Sequence, residues 1–498
     1  MLALTLLCST DSKSSDVNGD IRARARSGAR VGQQQRKIPA KFIYFFGAFG
    51  GILFGYDIGV MTGALPFLQS DWQLHGDAVA IGWITSSLML GAIMGGALSG
   101  MVADRLGRRK SILIAAAIFV VGSILSGAVP NAGGVLLLCL VRMLLGMAVG
   151  AASALVPAYM SEMAPAGLRG RLSGLNQTMI VSGMLLSYIV DFLLKDLPQQ
   201  WAWRTMLSMA AVPAVILYLG VKRLPESPRF LVRKGRIDEA RHVLTMIRPA
   251  DAVDAELAEI RETAEVEHNA SSRTTWASLM SSRYRWLVIA GVGVAAFQQF
   301  QGANAIFYYI PLIVEQASGT SASNALMWPI IQGVILVLGS LVFLVIADRF
   351  KRRTLLAVGG TVMGVSFILP AVISWIAPGA DPMLIVVFLS IYVAFYSFTW
   401  APLTWVIVGE IFPLAIRGRG AGLASSFNWL GSFAVGLLFP LMTMAMPQPV
   451  VFAIFGAICL LGVVFVRTVV PETAGRTLEE IEEAAAHRRS APVPALTH

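Results

Sequence analysis

Charged side chains are scarce in this sequence. Asp, Glu, Lys and Arg make up 14% of its 498 residues, against roughly a quarter in an average soluble domain. That is too little charge to cover a water-facing globule, which excludes an ordinary soluble fold. Cysteine is nearly absent: Cys139 and Cys459 fall inside apolar runs and Cys8 lies near the N-terminus. No disulfide framework and no metal-ligand spacing emerge from them. The five histidines, His75, His242, His268, His487 and His498, all stand outside the apolar runs, so neither a histidine proton relay nor a buried metal site is expected, and no cofactor. There is no Ser/His/Asp set, no phosphate-binding Gly loop and no Walker-type sequence, so nothing supports a membrane enzyme or an ATPase. The early "LALTLLC" is too short for a secretory apolar core and has no basic flank before it.

Apolar residues are what the chain has in plenty, at 56%. They gather into about twelve runs near the ~20 residues that cross a bilayer as a helix. The spans are 42–65, 79–103, 111–129, 133–157, 172–194, 204–222, 286–314, 325–347, 354–376, 383–408, 420–444 and 450–468. The expected class is therefore all-α and polytopic, with the lipid bilayer as its surroundings. Of the 39 Lys and Arg, 36 fall in the termini and alternate connections that share one side. The other side has only Lys195 and Arg204, and Arg142 sits within an apolar run. Positive residues mark the cytoplasmic side, which puts both termini in the cytoplasm of a multi-pass protein of the inner (plasma) membrane. The net charge of +10 is thus topological, and no nucleic-acid partner is expected.

Three motifs recur at nearly one spacing. "ADRLGRRK" from Ala103 returns as "ADRFKRRT" from Ala347; "SEMAPAGLRGR" from Ser161 returns as "GEIFPLAIRGR" from Gly409; "PESPR" from Pro225 returns as "PETAGR" from Pro471. Each interval spans six apolar runs, so the chain reads as two six-helix halves in parallel, 42–222 and 286–468. A cytoplasmic helical linker, 223–285, joins them; a disordered tail, 1–41, precedes them and a tail, 469–498, follows. Parallel repeats place a substrate site at their interface near the bilayer midplane. In "GRIDEARHVLTMI", Ile237, Ala240, Val243, Leu244 and Ile247 fall near helical spacing, which makes the linker a small helical bundle.

Polar residues inside apolar runs are the candidate functional groups. In the seventh run Gln298, Gln299 and Asn304 interrupt apolar sequence, Gly302 between them permits local unwinding, and Tyr308 follows one turn later. Amides offer donors and an acceptor without charge, which suits a ligand with many hydroxyls; helix–helix packing is the alternative. Asp57 in "FGYDIGVMTG" and Arg142 in "LCLVRMLLGM" are read as the intramembrane acid and base, most economically paired. Arg stays protonated at physiological pH, so Asp57 is the titratable member. The choice is between a proton switch and a static brace holding the first helix against the fourth. Gly55, Gly59 and Gly63 repeat every four residues beside it, a smooth face for close helix contact. At the linker end, Asp104 and Asp348 precede basic clusters, and Glu162–Arg169 and Glu410–Arg417 are seven apart in each half, a pattern for ion pairs across helix ends.

With "FGYDIGVMTG", "PESPRFL", "QQFQGANAIFYYIP", "TWAPLTWVIVGEIFPLAIRGRG" and "PETAGRTLEEIE", the chain resembles the sugar porter family of the major facilitator superfamily from Phe42 to Glu483. Within it the sequence is most similar to bacterial proton-coupled monosaccharide symporters for xylose, arabinose, galactose or glucose. The resemblance implies a monomeric secondary active importer of a monosaccharide by proton symport, with the proton as coupling ion. A facilitated-diffusion uniporter is the alternative, and a non-transporting sugar sensor a third. It implies sugar contacts for Gln177, Gln298, Gln299, Asn304 and Asn428, and aromatic cover from Phe54, Tyr308, Trp400 and Trp429, while Trp405 is read as packing. It assigns proton coupling to Asp57 and Arg142. Cytoplasmic gating falls to Asp104, Arg105, Arg108, Arg109, Glu162, Arg169, Asp348, Arg349, Arg352, Glu410 and Arg417. Three positions depart from the family pattern: Leu336 and Met184 make the pocket less polar, and Lys351 replaces the turn glycine seen at Gly107.

Overall fold

The computed structural model describes residues 40–164, 169–272, 276–319, 321–347, 349–377, 381, 383–413, 415–475 and 480. Nearly all of the 1–41 tail, most of the 469–498 tail, Asp348 and the side chain of Arg169 lie outside the described residues. Among the described residues, eleven helices are long and apolar enough to cross a membrane: α1 Phe42–Asp71, α2 Ala78–Leu106, α3 Arg108–Gly127, α4 Gly134–Met163, α5 Arg169–Leu194, α6 Gln199–Val221, then α8 Met327–Ile346, α9 Arg352–Ile376, α10 Met383–Ile411, α11 Arg417–Ala445 and α12 Gln448–Thr468. Between α6 and α8, a further crossing, α7, is made of two pieces, Arg285–Phe300 and Ala303–Ser318. All-helical spans follow from the solvent: in hydrocarbon each backbone N–H and C=O must be satisfied within its own segment.

The break in α7 falls at the glycine where the sequence allowed one. Gly302 has φ +91, and a Cβ there would meet the Phe455 ring at 2.8 Å. A side chain is thus refused twice, by the left-handed backbone and by α12. Gly107, between α2 and α3, has φ +94, and its Cβ would lie 2.3 Å from Glu226 Oε2. Its counterpart Lys351 is extended, at φ −63 and ψ 134, so the second-half turn is built differently, as the lysine implies.

In the first half α1 lies on α5 and α2 on α4; in the second, α7 lies on α11 and α9 on α12. The halves meet where α2 touches α11, α5 touches α8 and α1 touches α7. The glycine row of α1 makes the α1–α5 approach possible: a Cβ on Gly55 would stand 1.8 Å from the Ile180 carbonyl oxygen, and one on Gly59 1.8 Å from Ser187 Oγ. Linker helices Pro228–Arg233, Ile237–Ile247 and Val253–Ser272 cap one end of the bundle. Ala240, Val243 and Leu244 are buried as their spacing predicts. Arg248 pins this cap to α4, donating to the Met163 carbonyl at 3.1 Å while bonded to Glu256 at 2.7 Å.

Toward the end away from the linker the halves are hydrogen-bonded together. Thr62 Oγ1 donates to the Phe307 carbonyl at 2.7 Å. Thr85 and the Tyr309 hydroxyl are 2.8 Å apart, and Tyr309 also donates to the Gly436 carbonyl at 3.1 Å. This end of the bundle is closed.

Candidate functional site

The broken helix and α11 carry a continuous chain of amides. Gln298 Nε2 donates to the main-chain oxygens of Trp400 and Ala401, at 3.1 and 2.9 Å. Its Oε1 accepts from Asn428 Nδ2 at 2.6 Å, which also donates to Ala295 O at 2.9 Å. Gln299 Nε2 donates to Asn428 Oδ1 at 3.3 Å, and Asn304 Nδ2 to Gln299 Oε1 at 3.0 Å. Asn304 also bonds Ser432, completing the chain. The helix break lets Gln299 and Asn304, five apart in sequence, share one bond. Four of the expected sugar-contact residues are thus brought together, and Ser432 joins them unforeseen, since a lone serine in a helix carries no signal of its own. Gln177 is half-buried on α5, in the other half.

The tryptophans divide differently from the sequence-based expectation. Trp400 is wholly buried, and its Nε1 donates to the Leu356 carbonyl of α9 at 3.0 Å. Its contribution to the amide chain is its main-chain oxygen. Trp405, expected to pack, is 41% exposed. Five residues apart on a helix, the two indoles leave on different faces, and it is the first that meets α9. Trp429, next to Asn428 on α11, meets Phe54 of α1 edge-on at 5.2 Å, so this aromatic pair spans the two halves.

Asp57 lies one turn beyond Phe54. Its Oδ2 is 3.6 Å from Arg142 Nη2, and the residues are 2% and 0% exposed. None of the guanidinium nitrogens has a hydrogen-bond partner, nor has Asp57 Oδ2; the attraction is coulombic and works in a place shielded from water. Tyr308 lies within electrostatic reach of this pair, and its buried hydroxyl has no hydrogen-bond partner. Asp57 is not the single acid within the membrane span, contrary to the pairwise reading. Asp191, in the apolar run of α5, is 1% exposed with both oxygens unpartnered. A lone Asp near the end of an apolar run looks like an interfacial residue, and only packing shows otherwise. On α8, Leu336 and Gln332 are each 1% exposed, and neither end of the Gln332 amide has a partner. One turn from the apolar Leu336, that glutamine is a polar group the sequence reading passed over.

At the linker end, Arg108 gathers the first-half cluster. Its Nε bonds Glu162 at 3.2 Å and its Nη1 bonds Asp104 at 3.1 Å. Arg233 of the linker, also missed, approaches both acids at 3.8 and 3.9 Å. A cavity of about 230 Å³ opens beside them, lined by Arg108, Ser161, Glu162, Arg229 and Arg233 among others. Arg109 turns to the end of α6, donating to Lys222 O at 2.6 Å. In the second half Arg352 pairs with Glu410 at 3.7 Å, and Glu410 also accepts from Thr473 at 2.6 Å. Arg417 donates to the Phe412 carbonyl at 3.3 Å, capping its own turn instead of reaching Glu410. Arg105 and Arg349 are exposed and make no ion pair among the described residues.

Two further acids complete the duplicated pattern. Glu226 accepts from the backbone N–H groups of Arg108 and Arg109 at 2.9 and 3.1 Å. Glu472 does the same for Arg352 and Arg353 at 2.9 and 3.3 Å. Each carboxylate sits at the positive N-terminus of a helix. The repeat of "PES" and "PET" at the common offset was the available signal, though nothing local says what the acid caps. Among the described residues no group of His, Cys, Asp and Glu is placed to hold a metal ion.

The family model described as "Sugar (and other) transporter" matches residues 43–485. The D-xylose transporter of Levilactobacillus brevis is 41% identical, over 90% of this chain and 96% of that protein. The glucose transporter GlcP of Staphylococcus epidermidis is 37% identical, over 88% and 96%. Among solved structures, the proton:xylose symporter XylE of Escherichia coli, bound to 6-bromo-6-deoxy-D-glucose, matches with a TM-score of 0.75 and 30% identity, over 89% of this chain and 98% of that one.

Proposed function

This chain belongs to the sugar (and other) transporter family, a family of major facilitator sugar porters, and on that premise we propose that it imports a monosaccharide by proton symport through alternating access. The substrate class is glucose or a related hexose or pentose, in keeping with relatives named for xylose and glucose. The observation that carries the reading is the Asp57–Arg142 pair, 3.6 Å apart and out of water, on the helix whose Phe54 touches Trp429 beside the amide chain.

The roles follow from the chemistry of the groups. Gln298, Gln299, Asn304 and Asn428 now satisfy one another. Sugar hydroxyls entering between them exchange one set of hydrogen bonds for another, so polar groups are not stranded in either state. Trp429 and Phe54 offer apolar faces to the C–H side of a ring, and Gln177 and Tyr308 are further contacts of this reading. Asp57 takes the proton and Arg142 is its counter-charge. With the linker and both termini in the cytoplasm of a plasma-membrane monomer, the closed end is extracellular. The ion clusters around Arg108 and Arg352 work as latches at the other end.

The test is uptake of labelled glucose, galactose, xylose and arabinose into proteoliposomes, with and without an imposed inward proton gradient. Accumulation above the outside concentration, abolished by a protonophore, is the expected result. Flux that stops at equal concentrations makes the protein a uniporter, and sugar binding without flux makes it a sensor.

A further inference from the structure

Asp191 stands three residues before the end of α5 at Leu194, buried and with no hydrogen-bond partner for either oxygen. It faces α1 at Gly63, where a Cβ would lie 2.3 Å from Oδ2; the absent side chain makes the room. The titratable groups facing it are phenols, Tyr56 of α1 and Tyr188 of its own helix. From α8, Gly333 packs on Leu185 and Tyr188, and that helix brings the uncharged Gln332. Lys195, one turn further on, lays its ammonium over the Phe192 ring at 4.3 Å. From α6, Arg204 is bound to Asp71 at 3.2 Å. A carboxylate with no counter-charge and only the Gly63 backbone N–H beside it is among the costliest groups to bury, whereas the neutral acid is a small polar side chain that this pocket accommodates.

Resting on the transporter reading, we propose that Asp191 is a second proton-binding site of the carrier, loaded while the halves are closed at this end and emptied when they part. The seam lies over it. Thr62, adjacent to Gly63, donates to Phe307 of the other half, and Tyr188, three residues before Asp191, touches α8. Parting those contacts admits water to a carboxyl near the helix end. The proton is drawn from and returned to water on this side, and no other group changes. Binding one proton more in the closed state makes the closed-to-open ratio change about tenfold per pH unit wherever Asp191 is ionised in the open state. Acid favours closure.

The experiment follows a spin-label pair across the α1–α7 seam of the full chain in liposomes, over the acid-to-neutral range. In an Asp57→Asn background, which removes the other buried membrane acid of the proposal, Asp191→Asn is expected to remain closed on the alkaline side and to lose that tenfold-per-unit dependence. An Asp191→Asn protein with the wild-type pH dependence overturns the proposal. Should that variant fail to fold, infrared spectra of the Asp57→Asn protein at neutral pH decide it. A protonated-carboxyl C=O band that shifts in D₂O supports the site; its absence overturns it. Failure of the transporter reading appears separately, as missing sugar flux in the wild type, and leaves both readouts intact.

Discussion

Replacing Asp57 by Asn keeps the shape of the side chain and deletes its charge. With Oδ2 and Nη2 3.6 Å apart, the lost attraction is about 4–5 kcal/mol at an effective dielectric of ~20. Removing one member of a buried pair typically costs ~3–5 kcal/mol, and here the guanidinium has no hydrogen bonds in reserve. On the proposed coupling, proton uptake at Asp57 would cause the same loss in the wild type, so Asp57→Asn imitates the proton-loaded carrier permanently. It is therefore expected to exchange sugar between equilibrated compartments but not to concentrate it. A double-mutant cycle with Arg142→Gln, read by thermal unfolding in detergent, should recover a few kcal/mol, because the stranded cation goes too. Continued uphill accumulation by Asp57→Asn refutes the coupling role. Strictly additive unfolding costs refute the pairing itself, and leave a static brace no better supported.

Three further perturbations test the surroundings. Gln298→Ala removes the bonds that this side chain makes with Asn428 and with the carbonyls of Trp400 and Ala401; sugar affinity measured by calorimetry should fall at least tenfold, about 1.4 kcal/mol or more. Gly55→Val places a Cβ 1.8 Å from the Ile180 carbonyl oxygen, where ordinary contact begins near 3.4 Å; α1 must back off α5, at ~1–3 kcal/mol of stability, seen as a lower midpoint of detergent unfolding. Thr62→Val removes the 2.7 Å bond to Phe307 without changing volume. At ~1 kcal/mol per hydrogen bond, about a fivefold shift toward opening at the end away from the linker is expected, measured as cysteine labelling from that side.

Much of this protein is written locally and was legible without coordinates. Runs of lipid-soluble residues specify the spans, because each helix satisfies its own backbone wherever it sits. The repeated loop motifs announce two halves, and Gly302 marks the break in α7 through a conformation that only its own residue decides. Gln298, Gln299, Asn304, Asp57 and Arg142 were visible because polar groups stand out against apolar neighbours.

Partnership was not legible, since it joins residues far apart in the chain. Asn428 meets Gln298 130 positions away, and Glu226 caps Arg108 across 118; no periodicity reports either. The same holds for orientation: two tryptophans in one run look alike in sequence, yet only Trp400 meets α9. Asp191 is the sharpest case. As a letter it is an acid near the end of an apolar run, where water is close. Packing against Gly63 takes that water away, and what remains is a carboxyl whose environment is set by a neighbouring helix as much as by its own. The sequence by itself determined the membrane helices, the duplication and the inventory of polar groups, all of which depend on near neighbours and on the solvent. Which groups share hydrogen bonds, which charges pair and which acid stands alone was decided by tertiary packing, because those energies exist only between surfaces that folding brings into contact.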